Sequence, residues 1–349
     1  MRVRAYATQS THKTLTSLRQ GSMIHVHDDD FSRRGEEEFY EAYMTHTSTS
    51  PNYQILVSLD AGRCQVELEG YELVLHQIEL AMTVRDQIAA HPLLSKYLRV
   101  LTSDDLIPAE CRSPGGECPL EAGPLATEEA WGAHELVLDP CRLTIEISVT
   151  GIDGDTFKHE QLMDRWGIQV NKTTRNTVLA MTNIGTPPRT AVAHLLRALI
   201  GIAEELEAAA DRMAPDQRRA FDRRAGALAH DHQPLPDFSR FHPVFRADPT
   251  GAARDGNIRK ASYLAYRDDL CEFVGPGEAR ARLEAGEPVV SAIFVTPYPP
   301  GFPILVPGQE FSADILDFMD ALDTKEIHGF DPAQGYRVFT PSALTDGPA

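Results

Sequence analysis

The stripe Val192, Leu195, Leu196, Leu199, Ile202 and Leu206 constrains the fold of this chain more than any other feature. Apolar residues recur there every three or four positions, so residues 190–213 read as one long helix with a single buried face. A second stripe, Tyr71, Leu75, Ile78 and Met82, marks a helix over 67–90, and core packing is its ordinary use. Short strand signals lie between the two stripes. Residues 142–149 alternate polar and apolar as a half-buried strand does. Residues 168–171 and 177–182 also read as strands, and 155–166 as helix. Long helices interleaved with short strands make a small α+β domain.

Toward the N-terminus, residues 22–26 form a compact strand candidate, and 36–44 a helix with acids in its first turn, as the helix dipole favours. Ser50-Pro51 reads as an N-cap followed by proline at the first helical position. A helix beginning there turns Ile55, Leu56 and Leu59 inward. Residues 111–130, rich in Pro, Gly and Glu, read as a loop excursion. Residues 215–236 are polar, charged and end in prolines, which places a boundary near 210. Beyond it, 289–295 reads as a buried strand and 312–322 as a helix of a third unit. No internal repeat is visible.

At 349 residues the chain has room for two or three domains. A hydrophobic content of 42% is ordinary for a globular protein, and no apolar run reaches the eighteen or so residues a membrane span needs. The first residues lack the apolar core of a signal peptide, so a cytoplasmic location is the expectation. The formal charge of −18 argues against nucleic acid, whose phosphates need a basic face, and mildly favours a cationic substrate. Five cysteines, at 64, 111, 118, 141 and 271, are an odd number at spacings unsuited to a zinc knuckle, and reduced thiols are expected. His159, His230, His232 and His242 make a weak case for metal, since His230 and His232 sit in a polar stretch.

Chemistry is concentrated near the start, in Tyr6-Ala-Thr-Gln-Ser-Thr-His-Lys-Thr-Leu15. A lysine in a turn rich in hydroxyls and histidine suits a pyridoxal phosphate enzyme. The amine bonds the cofactor's aldehyde, and small polar neighbours hold its phosphate. Residues 13–20 read as a short helix or turn after this lysine loop.

Two further runs accompany it, Leu18-Arg-Gln-Gly-Ser-Met-Ile-His-Val26 and Glu41-Ala-Tyr-Met-Thr-His-Thr-Ser-Thr-Ser-Pro-Asn-Tyr53. Together the three resemble the bacterial ornithine/lysine/arginine decarboxylases, fold-type-I pyridoxal phosphate enzymes. Asp153-Gly-Asp-Thr-Phe-Lys158 and Gly167-Ile-Gln-Val-Asn-Lys-Thr173 are similar to that family's small domain. Val295-Thr-Pro-Tyr-Pro-Pro-Gly-Phe-Pro303 and Val306-Pro-Gly-Gln309 are similar to its C-terminal domain. The resemblance implies an α/β and α+β chain in three parts. These are a remnant of the large cofactor domain (1–63), a small α+β domain (64–210), and a linker with the C-terminal decarboxylase domain (211–349).

It also implies decarboxylation of lysine, arginine or ornithine with pyridoxal 5'-phosphate, a reaction of polyamine metabolism. Lys13 takes the position of the Schiff-base lysine, and Ser10 and His12 those of phosphate contacts. Ser48 best matches a residue that reaches the neighbouring subunit's cofactor, although capping of the next helix, by Ser50 above all, is the plainer use of that hydroxyl run. Asn171 stands where some relatives carry a glutamate for the substrate's distal cation. A neutral amide makes a weaker bond than an ion pair, and Asp153, Asp155 and Glu160 are nearby acids able to substitute. In relatives the acid against the pyridine nitrogen and the ring-stacking partner come from upstream of the lysine. Residues 1–12 contain no Asp or Glu. The expectation is therefore a fragment of the enzyme, acting as a homodimer or higher oligomer or completed by a separate N-terminal half. The alternative is an inactive truncated paralogue that dimerises with a full-length relative.

Overall fold

Arg4–Gln9 (β1) and Met23–Asp28 (β2) pair antiparallel, from Arg4 opposite Asp28 to Gln9 opposite Met23. The chain is seen here as a computed structural model describing residues 4–112, 124–186, 190–230, 235–246, 256–298, 301–322 and 326–345. It divides into two units, Met1–Asn171 with Asn176–Ala225, and Lys172–Arg175 with Gly226–Ala349. The hairpin belongs to the first unit and forms a sheet of only two strands. Both of its faces are largely exposed. Two strands alone are marginal in water, and aromatic rings on the following helix α1 (Glu36–His46) support this one. Tyr6, Phe31, Phe39 and Tyr43 form a chain of ring contacts, the closest at 5.5 Å between Phe31 and Phe39.

Helix α2 runs unbroken through Tyr53–Ala90, 38 residues. Its cap is Asn52, whose Oδ1 accepts from the backbone N–H groups of Gln54 (3.0 Å) and Ile55 (3.3 Å). The start expected at Ser50-Pro51 is therefore displaced, because a competent asparagine cap lies just downstream. Of the residues expected to turn inward, Ile55 and Leu59 are half-buried and Leu56 is exposed. Tyr71 is also exposed, so the buried stripe begins only at Leu75 and deepens through Ile78 and Met82.

The C-terminal half of α2 supplies Leu80, Ala81, Val84 and Ile88 to the first unit's core. Against them lies a sheet in which β4 (Arg142–Glu146) sits between β3 (Arg99–Val100) and β5 (Thr177–Met181), all antiparallel. Leu143 and Ile145 of β4 point to the core at the two-residue period of a strand. Helix α3 (Thr190–Ala210) closes the core with Val192, Leu199 and Ile202 buried and Leu195, Leu196 and Leu206 packed against them. The face read from the sequence is the face that is buried.

Three local readings need correction. Residues 168–171 form no strand; Asn171 contributes its N–H to the Leu179 carbonyl at 2.8 Å. The excursion read as loop contains a helix, Pro124–Ala133. Pro215–His230 (α4) is helical, opened by a proline at its first position, where the missing N–H costs nothing. The helix expected over 155–166 is present, over Gly154–Trp166, with a π-helical middle, Phe157–Met163. Phe157 there is fully buried, and its truncation to alanine costs about 3–5 kcal/mol.

The second unit holds β6 (Cys271–Val274), α5 (Pro276–Glu284), β7 (Thr296–Tyr298), α6 (Ala313–Asp320), β8 (Glu326–His328), β9 (Phe330–Asp331) and β10 (Gly335–Phe339). β10 lies between β9 and β6, and β7 pairs with β8. Ser312 caps α6 through Oγ and the Ile315 N–H at 3.2 Å. Val289, Val290, Ser291, Ala292 and Val295 are buried as expected, but Phe294 is exposed, and the segment meets neighbours through isolated bridges, such as Val290 to Glu310 and Ser291 to Val338, and forms no continuous strand. Here the chain passes between partners on either side of it.

Candidate functional site

The connection between β1 and β2 carries the lysine. Strand pairing of Gln9 with Met23 closes its base, so residues 10–22 form a compact loop with neighbouring ends. Within it, Thr11–Thr14 makes a single helical turn with Ser10 at its N-cap position. The Lys13 N–H reaches the Ser10 carbonyl at 3.0 Å and the Leu15 N–H the Thr11 carbonyl at 2.9 Å. The helix or turn expected over 13–20 begins two residues earlier, at Thr11, and its helical part ends at Thr14.

Ser10, His12 and Lys13 are thus brought together on one turn. Lys13 is exposed, so its amine is reachable. Ser10 is exposed, and its hydroxyl makes no capping bond. His12 is half-buried, with Nδ1 turned inward and unpartnered; the Thr11 hydroxyl beside it is 1% exposed and equally unpartnered. Unsatisfied buried polar atoms are uncommon enough to need a reason. Here two occur on consecutive residues beside an exposed amine.

Ser48 lies elsewhere, in the exposed link between α1 and α2. Its Oγ accepts from the Ser50 N–H at 3.1 Å, a local turn. Among the described residues no hydrogen bond joins it to the Ser10–Lys13 turn. Capping of the next helix, expected of Ser50, belongs to Asn52.

At the far end of the hairpin, Tyr6 donates its hydroxyl to Asp28 Oδ2 at 2.9 Å, and Arg4 pairs with Asp28 and Asp30 at 3.3 Å. The Asp30 N–H on Asp28 Oδ1, reinforced by Tyr6 and Arg4, holds the Asp28 carboxyl below the usual range. Its own hydrogen bond to the Asp28 carboxylate pushes the Tyr6 hydroxyl up. These acids are engaged in fixing the hairpin.

The acids weighed for the substrate's distal end are placed differently. Asp153 caps the helix that begins at Gly154. Its Oδ1 accepts from the Thr156 N–H (3.0 Å) and Oδ2 from the Thr156 hydroxyl (2.8 Å). Burial pushes its carboxyl up, but the Thr156 bonds outweigh that and hold it below its ordinary value. Asp155, Glu160 and Asn171 are exposed. His242 accepts the Val244 N–H at its own short helix start, and burial lowers its basicity. His232 and Cys118 lie outside the described residues, as do Pro299 and Pro300 of the proline run. Among the described residues no group of three or more His, Cys, Asp or Glu is arranged to hold a metal, and no helix is long and apolar enough to cross a membrane.

Sequence reasoning missed Thr11, Ser58 and Gly62. The Ser58 Oγ accepts from the Leu18 N–H at 3.0 Å. A Cβ added at Gly62 would stand 2.2 Å from the Thr16 carbonyl oxygen. A glycine inside a helical pattern costs helix stability, and a packing reason for that cost is the signal the sequence offered.

Comparison with known proteins bears on this loop directly. The profile of the Orn/Lys/Arg decarboxylase major domain matches residues 3–189, and that of the C-terminal domain of the same enzymes matches 270–337. The inducible lysine decarboxylase of Escherichia coli is 29% identical over 352 residues, covering 91% of this chain and 45% of that protein. A lysine decarboxylase of Pseudomonas aeruginosa is 27% identical over 368 residues, covering 93% and 46%. The arginine decarboxylase of Bacillus anthracis is 23% identical over 339 residues, covering 97% and 53%. In structure, the lysine decarboxylase of Francisella novicida superposes with a TM-score of 0.61 at 21% identity, over 96% of this chain and 48% of that one. That likeness shows a shared fold of mixed helix and sheet. The chain spans about half the length of the relatives it matches. Since the major-domain profile takes in the hairpin, the lysine loop, α2 and the β3–β5 sheet, over half of the sequence, the chain belongs to the Orn/Lys/Arg decarboxylase family.

Proposed function

We propose that this chain is part of a pyridoxal-phosphate-dependent decarboxylase that converts a basic amino acid, lysine, arginine or ornithine, to its amine and carbon dioxide. The observation that carries the reading is the exposed Lys13 amine on a loop closed at its base, flanked by polar groups with unspent bonding capacity. Those residues fit the cofactor. The Ser10 hydroxyl makes no capping bond, and the His12 Nδ1 lacks a partner.

When bound, pyridoxal phosphate supplies an aldehyde for covalent attachment and a ring that accepts the electron pair left at Cα as the carboxylate departs. Lys13 supplies the primary amine that anchors it. Ser10 and His12 hold the phosphate in the same subunit, and Ser48 reaches a neighbouring subunit's phosphate across a dimer. The charge of −18 draws a cationic substrate inward. We place the reaction in the cytoplasm, within polyamine metabolism.

A second reading has its own support. Tyr6, Tyr40, Tyr43, Met44 and Tyr53, on or beside the hairpin and α1, are 45–74% exposed. That apolar surface suits a partner: a second copy, a separate N-terminal half, or a full-length relative with which an inactive chain pairs.

The test mixes the chain with pyridoxal phosphate, reduces with borohydride and locates the adduct by mass. A saturable adduct at Lys13, absent in Lys13→Ala, is expected, followed by carbon dioxide release from lysine, arginine or ornithine. Labelling spread over the other five lysines would overturn the enzymatic reading for this chain and favour the pairing one.

A further inference from the structure

We propose that Ser58 and Gly62 of α2 are positioning residues for Lys13, through a seat that α2 forms for the lysine loop. The inference rests on Lys13 being the cofactor-anchoring amine.

The seat is one stripe of α2. Ile55, Ser58, Leu59 and Gly62 stand at the i, i+3, i+4 and i+7 spacing that lines one helix face. Such a stripe normally faces a core. Here every member meets the loop of residues 10–22. A Cβ built on Gly21 would lie 2.9 Å from Ile55 Cγ2 and 3.1 Å from both Leu59 methyl carbons, so the loop's backbone lies directly on those side chains. Ser58 donates its hydroxyl proton to the Ile55 carbonyl at 2.7 Å, which leaves a lone pair to accept the Leu18 N–H at 3.0 Å. The Thr16 carbonyl comes so close to Gly62 that no side chain fits between them.

Thr16 and Leu18 are three and five residues beyond Lys13. Between them and the lysine, the Thr14 carbonyl is held by the Ile184 N–H at 3.3 Å, and the turn itself is closed by its own backbone bonds. Little torsional freedom is left between the α2 seat and the amine. A catalytic group displaced by about 1 Å can lose two orders of magnitude in rate, so fixing the loop matters to the chemistry. Neither Ser58 nor Gly62 touches the Lys13 amine; each acts through the backbone between them.

The test uses the whole chain with Ser58→Ala, Ser58→Thr and Gly62→Val. One readout is amide hydrogen exchange of the peptide containing Leu18. The other is the pyridoxal phosphate concentration giving half-maximal borohydride-trapped adduct at Lys13. In Ser58→Ala, loss of one hydrogen bond should speed Leu18 exchange and raise the half-maximal concentration, each about five-fold. Ser58→Thr, which keeps the hydroxyl, should restore both. Gly62→Val should shift both further, and if it fails to fold, the serine pair decides. Unchanged Leu18 exchange in Ser58→Ala overturns the seat. Faster exchange with wild-type labelling overturns its link to Lys13. A wild-type chain that takes no adduct at Lys13 overturns the functional reading, and the positioning role falls with it.

Discussion

Tyr97 donates its hydroxyl to Glu207 Oε2 at 2.7 Å, joining the turn before β3 to the last turn of α3. The ring is 5% exposed, and burial, then the carboxylate, pushes the Tyr97 hydroxyl up. Lys96 grips the same carboxylate from the exposed side. Removing only the hydroxyl tests this tie without opening a cavity. Tyr97→Phe should cost about 1–2 kcal/mol, a fall of about 3–6 °C in the melting temperature of the first unit. Both tryptophans, Trp131 and Trp166, lie in that unit and report its unfolding by fluorescence. An unchanged melting curve would remove the bond from the account of stability.

The same contact carries a pH signature. Hydrogen bonds from Lys96 and then Tyr97 hold the Glu207 carboxyl below its usual value. A depressed carboxyl stabilises the folded state above its unfolded pKa, about 4.3, and that gain is lost as pH falls through the lower folded value. The difference in melting temperature between wild type and Glu207→Gln should therefore be constant from pH 7 to about 5 and shrink below that. A gap that widens on acidification contradicts the assignment.

Gln20 has φ of 74°, the one described non-glycine residue in the left-handed region. It precedes Gly21, where the loop settles on α2 and returns to β2. A side chain there costs about 1 kcal/mol that glycine avoids. Gln20→Gly should leave the loop in place and hold or raise the melting temperature by up to about 3 °C. A clear loss of stability would mean that the Gln20 side chain contributes contacts outweighing its backbone strain.

The sequence was most legible where one physical requirement dominates. The α3 stripe from Val192 to Leu206 and the alternation in β4 read correctly because burial against a single core sets them. The α2 stripe misled in its first half. Ile55 and Leu59 have core spacing, yet they hold the lysine loop, and Leu56 faces solvent. A stripe announces that something covers it but not what. Caps were harder still, since Ser50 and Asn52 are both competent, and only the path of the chain selects Asn52. At the site, Ser10, His12 and Lys13 were legible because they lie within four residues of one short motif. Ser58 was not, because it acts on Leu18 from forty residues away through a backbone N–H. Helix α4 was hidden by its polarity: only Leu228 of its residues is buried, so hydrophobic period gave little to read.

Four of the five cysteines are described, and they differ most in access. Cys111 is exposed, whereas Cys141 is 5% exposed beside Ile78 and Met82, with Gln77 Nε2 donating to its sulfur at 2.9 Å. Burial pushes the Cys141 thiol up, which removes thiolate at neutral pH, and the thiolate is the reactive form. Both effects slow alkylation in the same direction. Brief treatment of the native chain with iodoacetamide near pH 7.5, read by peptide mass, should label Cys111 at least about a hundred-fold faster than Cys141. Urea sufficient to unfold the chain should abolish the difference, since an unfolded thiol returns to its ordinary pKa and full access. Equal labelling of Cys111 and Cys141 without denaturant would show that the contact between α2 and the start of β4 opens readily. The burial assigned to Ile78 and Met82 would then have to be abandoned.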